Sequence, residues 1–126
     1  LYGTGDNMPM YYVTWDEAMA FCKKLSEMTG KNISLPTEAQ WEYAARGGKK
    51  TQQCMYSGDD AIGNVAWYGQ RDDNTYGGGN SGSSVHEVGT KKPNELGIYD
   101  MCGNVWEWCD DWFYEFDKKF LFPSVI

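Results

Sequence analysis

Apolar residues recur at helical spacing in two stretches of this chain, both before Gly47. Ala18, Met19, Cys22, Leu25 and Met28 form the first stripe, the pattern of a helix that buries one face. Thr14-Trp15-Asp16-Glu17 supplies its start. The Thr14 hydroxyl can accept from the Glu17 amide while the Glu17 carboxylate reaches back. A helix is therefore predicted to run to about Thr29, with Gly30 as the residue just past its end. Leu35-Pro36-Thr37-Glu38-Ala39-Gln40 repeats the logic, with Thr37 as the cap and Gln40 closing the box. This second helix is predicted to reach about Arg46 and stop at Gly47-Gly48, with Trp41, Ala44 and Ala45 facing inward. Glu38, Glu42 and Arg46 stand four apart, which reads as ion pairing on one face before it reads as paired-carboxylate catalysis.

Beyond Gly47 the helical period is lost. Residues 58–97 are rich in Gly, Asn, Asp and Ser, and loosest at Asp72-Asp73-Asn74 and Gly77-Gly78-Gly79-Asn80-Ser81-Gly82. A loop this long inside one domain needs an organiser: an ion, a ligand or a partner. Short strands are expected at Met8–Val13, at Val85–Val88 and over Val105–Phe113. Trp67, Tyr68 and Tyr76 either pack in the core or offer a stacking surface.

Length and charge narrow the classes. The 126 residues suit one domain with one core. An aromatic share of 16% excludes a disordered chain, and 15 glycines beside it indicate an irregular fold. The net charge of -7, with no basic cluster beyond Lys49-Lys50 and Lys91-Lys92, argues against nucleic-acid binding. No apolar run is long enough to span a membrane. Cys22, Cys54, Cys102 and Cys109 contain no C-x-x-C pair, so a zinc knuckle is excluded. Cys22 reads as a buried free thiol; Cys102 can pair with Cys109 or either with Cys54. His86, the single histidine, reads as a loop or strand residue with no nucleophile motif beside it. Asn32-Ile33-Ser34 is one glycosylation sequon. The first residue is Leu1, so a fragment or processed product is expected. Compartment is unknown from sequence, with an extracytoplasmic or cell-surface setting favoured.

The segment Gly97-Ile98-Tyr99-Asp100-Met101-Cys102-Gly103-Asn104-Val105-Trp106-Glu107-Trp108 carries the candidate chemistry. Asp100 and Glu107 bracket it and Gly103 breaks it. Carboxylate oxygens at both ends, with backbone carbonyls turned inward between them, are what a hard cation requires.

Three motifs then act together: Thr14-Trp15-Asp16-Glu17-Ala18 with Phe21-Cys22, the run Leu35 to Gly48, and the run Lys92 to Trp108. In order and spacing they closely resemble the formylglycine-generating enzymes, or sulfatase-modifying factors, over roughly residues 5 to 113. The resemblance implies an α+β fold of the C-type-lectin-like kind, in its formylglycine-generating-enzyme variant. Two helices, small antiparallel sheets and much irregular chain go with it, and residues 1–126 would form a single, partial domain. It implies structural calcium. One ion would take the Asp100 side chain, the Gly103 and Val105 carbonyls and the Glu107 side chain. A second would take Asn64, the Val65 carbonyl, Asn80 and the Gly82 carbonyl.

The family activity is oxidation of a sulfatase cysteine to formylglycine with oxygen and copper(I). The resemblance places the two copper cysteines beyond an Arg-Gly-Gly-Ser segment that follows the tryptophan-rich motif. The sequence to Ile126 contains neither. No catalytic residues are assigned, copper is not expected on this chain, and the chain by itself is expected to be inactive. The alternative is a non-catalytic C-type-lectin-like binding or structural module. Implied partners are a protein substrate, or a surface glycan or protein ligand, and a homodimer through unpaired edges.

Overall fold

The computed structural model describes residues 5–72, 75–82 and 84–112. They fall into two compact units. Of the described residues, the first holds those up to Pro9 and those of Tyr43–Trp106, and the second holds Met10–Glu42 and those from Glu107 to Trp112.

In the second unit, helix α1 spans Trp15–Thr29. Its start is the expected box: the Glu17 amide donates to Thr14 Oγ1 at 3.2 Å, and the Thr14 amide donates to Glu17 Oε2 at 2.7 Å. That contact, through backbone first and hydroxyl second, holds the Glu17 carboxyl below its ordinary range. Gly30 ends the helix in the left-handed region at φ 69°, its amide closing onto the Ser26 carbonyl. Of the stripe, Cys22 is buried, while Met28 is 73% exposed and leaves the buried face. Helix α2, Glu38–Ala45, carries the second box: the Gln40 amide donates to Thr37 Oγ1 and the Thr37 amide to Gln40 Oε1.

The first unit is mostly irregular. A 3-10 turn at Gly48–Lys50 follows α2, and helix α3 covers Ile62–Val65. Strands β1, Gly69–Asp72, and β2, Thr75–Gly79, pair antiparallel with a bulge between Gly69 and Arg71. This ribbon lies inside the stretch that reads as loop from sequence. The core is small: Ala45, Val65, Ala66, Met101 and Cys102, with Ser57 and Asn94 buried among the polar residues.

The three expected strands are not formed at the described positions. Between residues 85 and 88 the backbone is held otherwise. Asn104 Oδ1 accepts from the His86 amide at 3.0 Å, and Asn104 Nδ2 donates to the His86 carbonyl at 3.1 Å. A side chain thus fills the place of a partner strand. At Met8–Val13, Tyr12 turns to φ 60° and breaks the extended run. Over Val105–Trp112 single bonds replace a ladder, and Phe113 lies outside the described residues. All four cysteines are free thiols. No helix among the described residues is long and apolar enough to cross a membrane.

Candidate metal centre

Among the described residues Glu95 and Asp100 each bury one side-chain oxygen without a hydrogen-bond partner, and Asp100 is the one that belongs to the candidate set. It sits in the left-handed region at φ 58°, reached from Gly97 at φ 79°. A non-glycine residue held there marks a constrained loop. Its Oδ2 accepts from the Gly89 amide at 2.7 Å. Its Oδ1 is buried with no hydrogen-bond partner. Burying an unpaired carboxylate oxygen is costly, and a cation or an ordered water would relieve it.

Gly103 and Val105 follow in the same unit. Gly103 has φ 79° and forms a parallel bridge with Trp67. A Cβ at Gly103 would run into the Trp67 carbonyl oxygen, so the approach is open to glycine alone. The Asn104 amide donates to that same carbonyl at 2.8 Å, and the Val105 amide donates to the Gly103 carbonyl at 3.0 Å. Glu107, the fourth residue of the set, belongs to the second unit. There its Oε2 accepts from the Trp41 indole at 2.7 Å.

The second set is less open. The Asn64 carbonyl accepts from the Lys92 amide at 2.9 Å, and its side chain bonds to Asp59. Val65 is buried in the core. Asn80 spends its amide on backbone: Oδ1 accepts from the Tyr68 amide and Nδ2 donates to the Ala66 carbonyl, both at 2.9 Å. Gly82 turns at φ 58°. Among the described residues no three His, Cys, Asp or Glu side chains group to hold a metal. A cation at these residues would have to draw on backbone carbonyls.

Sequence reasoning missed Asn94 and Asn104. Asn94 is buried and ties the end of α2 to the 96–98 turn through both ends of its amide. Asn104 braces His86, whose ring stacks on Trp67 at 3.9 Å with Lys91 Nζ also 3.9 Å from the Trp67 ring. For Asn104 the available signal was asparagine beside glycine, and for Asn94 asparagine after proline, both turn pairs whose asparagine side chain serves backbone.

Two of the thiols are pushed towards the protonated form. Burial chiefly, then the carboxylates of Asp60, Glu95 and Asp59, push the Cys54 thiol up, with Lys92 opposing. Burial, then Asp111, Glu38 and Glu107, push the Cys109 thiol up. Cys102 is buried and accepts from the Ser57 amide at 3.4 Å.

Comparison with known proteins adds a family. The sulfatase-modifying factor enzyme 1-like domain matches residues 2–121. A protein of Paenibacillus barcinonensis named chaperone protein LppX is 35% identical over 86% of this chain and 53% of its own. The formylglycine-generating enzyme of Streptomyces coelicolor is 36% identical over 85% of this chain and 33% of its own. Among solved structures, Treponema denticola variable protein 1 superposes with a TM-score of 0.71 at 34% identity. That match covers 93% of this chain and 54% of the other. The chain thus spans about half, or a third, of the length of these relatives.

Proposed function

Because the chain belongs to the family of sulfatase-modifying factor enzyme 1-like domains, we propose that it is a calcium-supported scaffold of the formylglycine-generating-enzyme kind. By itself it does not perform the family's oxidation of a sulfatase cysteine to formylglycine. The thiols carry the second half of this reading. Copper(I) needs two thiolates in one pocket. Here burial and surrounding carboxylates disfavour the thiolate at Cys54 and at Cys109, and Cys102 is buried against the Ser57 amide. These residues do not fit the copper group. The test is incubation of the chain with copper(I), oxygen and a sulfatase-motif peptide, followed by mass spectrometry. The peptide cysteine is expected unchanged, and its conversion would overturn the reading.

The buried, unpartnered Asp100 Oδ1 supports calcium. In this proposal the Asp100 carboxylate and the Gly103 and Val105 carbonyls hold the ion, while Glu107 enters from its place in the motif alone. Asn64, Val65, Asn80 and Gly82 form the second proposed set. An ion bound only by the folded chain stabilises it by about 2.7 kcal/mol at a hundredfold excess over Kd. The melting temperature is expected to rise with calcium over chelator, and Asp100→Ala should remove the first site's share of the rise. An unchanged melting temperature at millimolar calcium would remove the ion from the proposal.

The second reading is a non-catalytic binding module. It is supported by a Bos taurus relative named inactive C-alpha-formylglycine-generating enzyme 2, 36% identical over 79% of this chain and 32% of its own.

A further inference from the structure

The second unit presents three exposed indoles on chain segments that its hydrogen bonds draw together. Trp15 Nε1 donates to the Cys109 carbonyl at 3.0 Å, and Trp108 Nε1 donates to the Val13 carbonyl at 3.0 Å. The Asp110 amide donates to the Pro36 carbonyl at 2.8 Å, and the Glu38 amide donates to Asp111 Oδ1 at 2.8 Å. Segments 13–17, 36–40 and 107–112 therefore lie side by side. Trp15 is 36% exposed, Trp108 49% and Trp112 85%. Two of the indoles have spent their N–H groups on backbone, so what they offer outward is ring surface.

The charge on these same segments has one sign. They carry Asp16, Glu17, Glu38, Glu107, Asp110 and Asp111, and neither lysine nor arginine. Bare indole faces among carboxylates suit one ligand chemistry. A guanidinium or ammonium can stack on a ring face and meet a carboxylate at the same time. An acidic or purely apolar partner would meet repulsion or leave the carboxylates unmatched.

We propose that the Trp15–Trp108–Trp112 face, rimmed by Asp16, Glu38, Asp110 and Asp111, docks a basic peptide segment, rich in arginine or lysine, of another protein. This surface is independent of the calcium reading and of the family's oxidation. The occupant follows from charge complementarity.

The test is titration of the full chain with a hexa-arginine peptide, followed by tryptophan fluorescence and calorimetry, with hexaglutamate as control. Hexa-arginine is expected to bind and hexaglutamate not. Binding should weaken on going from low salt to about 0.15 M, where screening sets in within about 8 Å. Trp112→Ala should weaken binding by about threefold to tenfold. Trp112 is exposed, so folding should survive, and circular dichroism checks it. The pair Asp110→Asn with Asp111→Asn should weaken binding as much, since the new side-chain amide oxygen still accepts from the Glu38 amide. The pair Asp6→Asn with Glu87→Gln, in the other unit, should leave it unchanged. Three results would overturn the proposal. One is no binding. The second is equal loss in the Asp6/Glu87 pair, which would mean attraction to an acidic chain in general. The third is concentration-dependent self-association abolished by Trp112→Ala, which would assign the face to a second copy.

Discussion

Removing the Asn94 side chain should be among the most damaging single changes in the first unit. Asn94 is 6% exposed. Its Nδ2 donates to the Ala44 carbonyl at 2.8 Å, to Ser57 Oγ at 3.2 Å and, more weakly, to the Ala45 carbonyl at 3.4 Å. Its Oδ1 accepts from the amides of Leu96 at 3.0 Å and Ile98 at 3.1 Å. Asn94→Ala breaks all of these. The two carbonyls each keep another donor, Gly47 N–H for Ala44 and Ser57 O–H for Ala45. Leu96 and Ile98 are partly exposed, so water can reach their amides. The loss is therefore less than five full bonds. Counting about three well-formed bonds at roughly 1 kcal/mol each, plus a small void, gives a deficit of about 3–4 kcal/mol.

The assay is urea unfolding followed by tryptophan fluorescence, read as the midpoint shift at constant slope. Asn94→Asp separates the causes. It keeps the acceptor but turns a carboxylate onto the Ala44 carbonyl, so its folded-state pKa is raised. Stability relative to the native chain is then lost as pH rises through the carboxyl range and recovered below about pH 4. The alanine variant should show no such recovery. An alanine deficit under about 1 kcal/mol, or an aspartate deficit that ignores pH, would refute the account of Asn94 as the tie between α2 and the 96–98 turn.

Gly103→Ala should destabilise by about 2–4 kcal/mol, since the new methyl meets the Trp67 carbonyl at a left-handed backbone; a thermal melt within a degree of native would sink this. Thr14→Ala removes the hydroxyl half of the α1 cap and should cost about 1 kcal/mol by the same urea assay. The Lys92 hydrogen bond first, then the Ala61 amide and Asn64, hold the Asp59 carboxyl down at about 2. Its contribution is therefore complete above the ordinary value near pH 4 and lost as pH falls towards 2. Asp59→Asn should flatten that part of the acid-unfolding curve, and an unchanged acid limb would contradict the pairing.

Both main helices could be read from sequence because their signals are local. Thr14 with Glu17, and Thr37 with Gln40, complete their boxes within four residues. Met28 shows the limit of periodicity: it continues the stripe, yet the helix has no cover at its last turn. The strand expectations failed for a different reason. At His86 the backbone is bonded not to a strand but to the Asn104 side chain eighteen residues on, which no alternation pattern reveals. The ribbon at 69–79 escaped because glycine backbone makes much of it and gives no hydrophobic alternation. Asp100 stands out in the sequence by type and spacing, but its buried, unpartnered Oδ1 does not. The Trp41 indole on Glu107, 66 residues away, was not, because sequence spacing carries no record of long-range partners.

The two indole clamps bear on how the chain comes to be folded. Trp15 finds its acceptor 94 residues downstream, and Trp108 finds its own 95 residues upstream. Helix α1 is made well before the distant Trp-rich segment, yet its cover arrives only when that segment has emerged. Until then α1 is a lone amphipathic helix of 15 residues, close to the length at which isolated helices are marginal in water. Such high contact order slows folding, and a growing chain would show the face around Cys22, buried once folded, to chaperones throughout that wait. The first of these helices to be made is thus secured only by a segment made some 94 residues later.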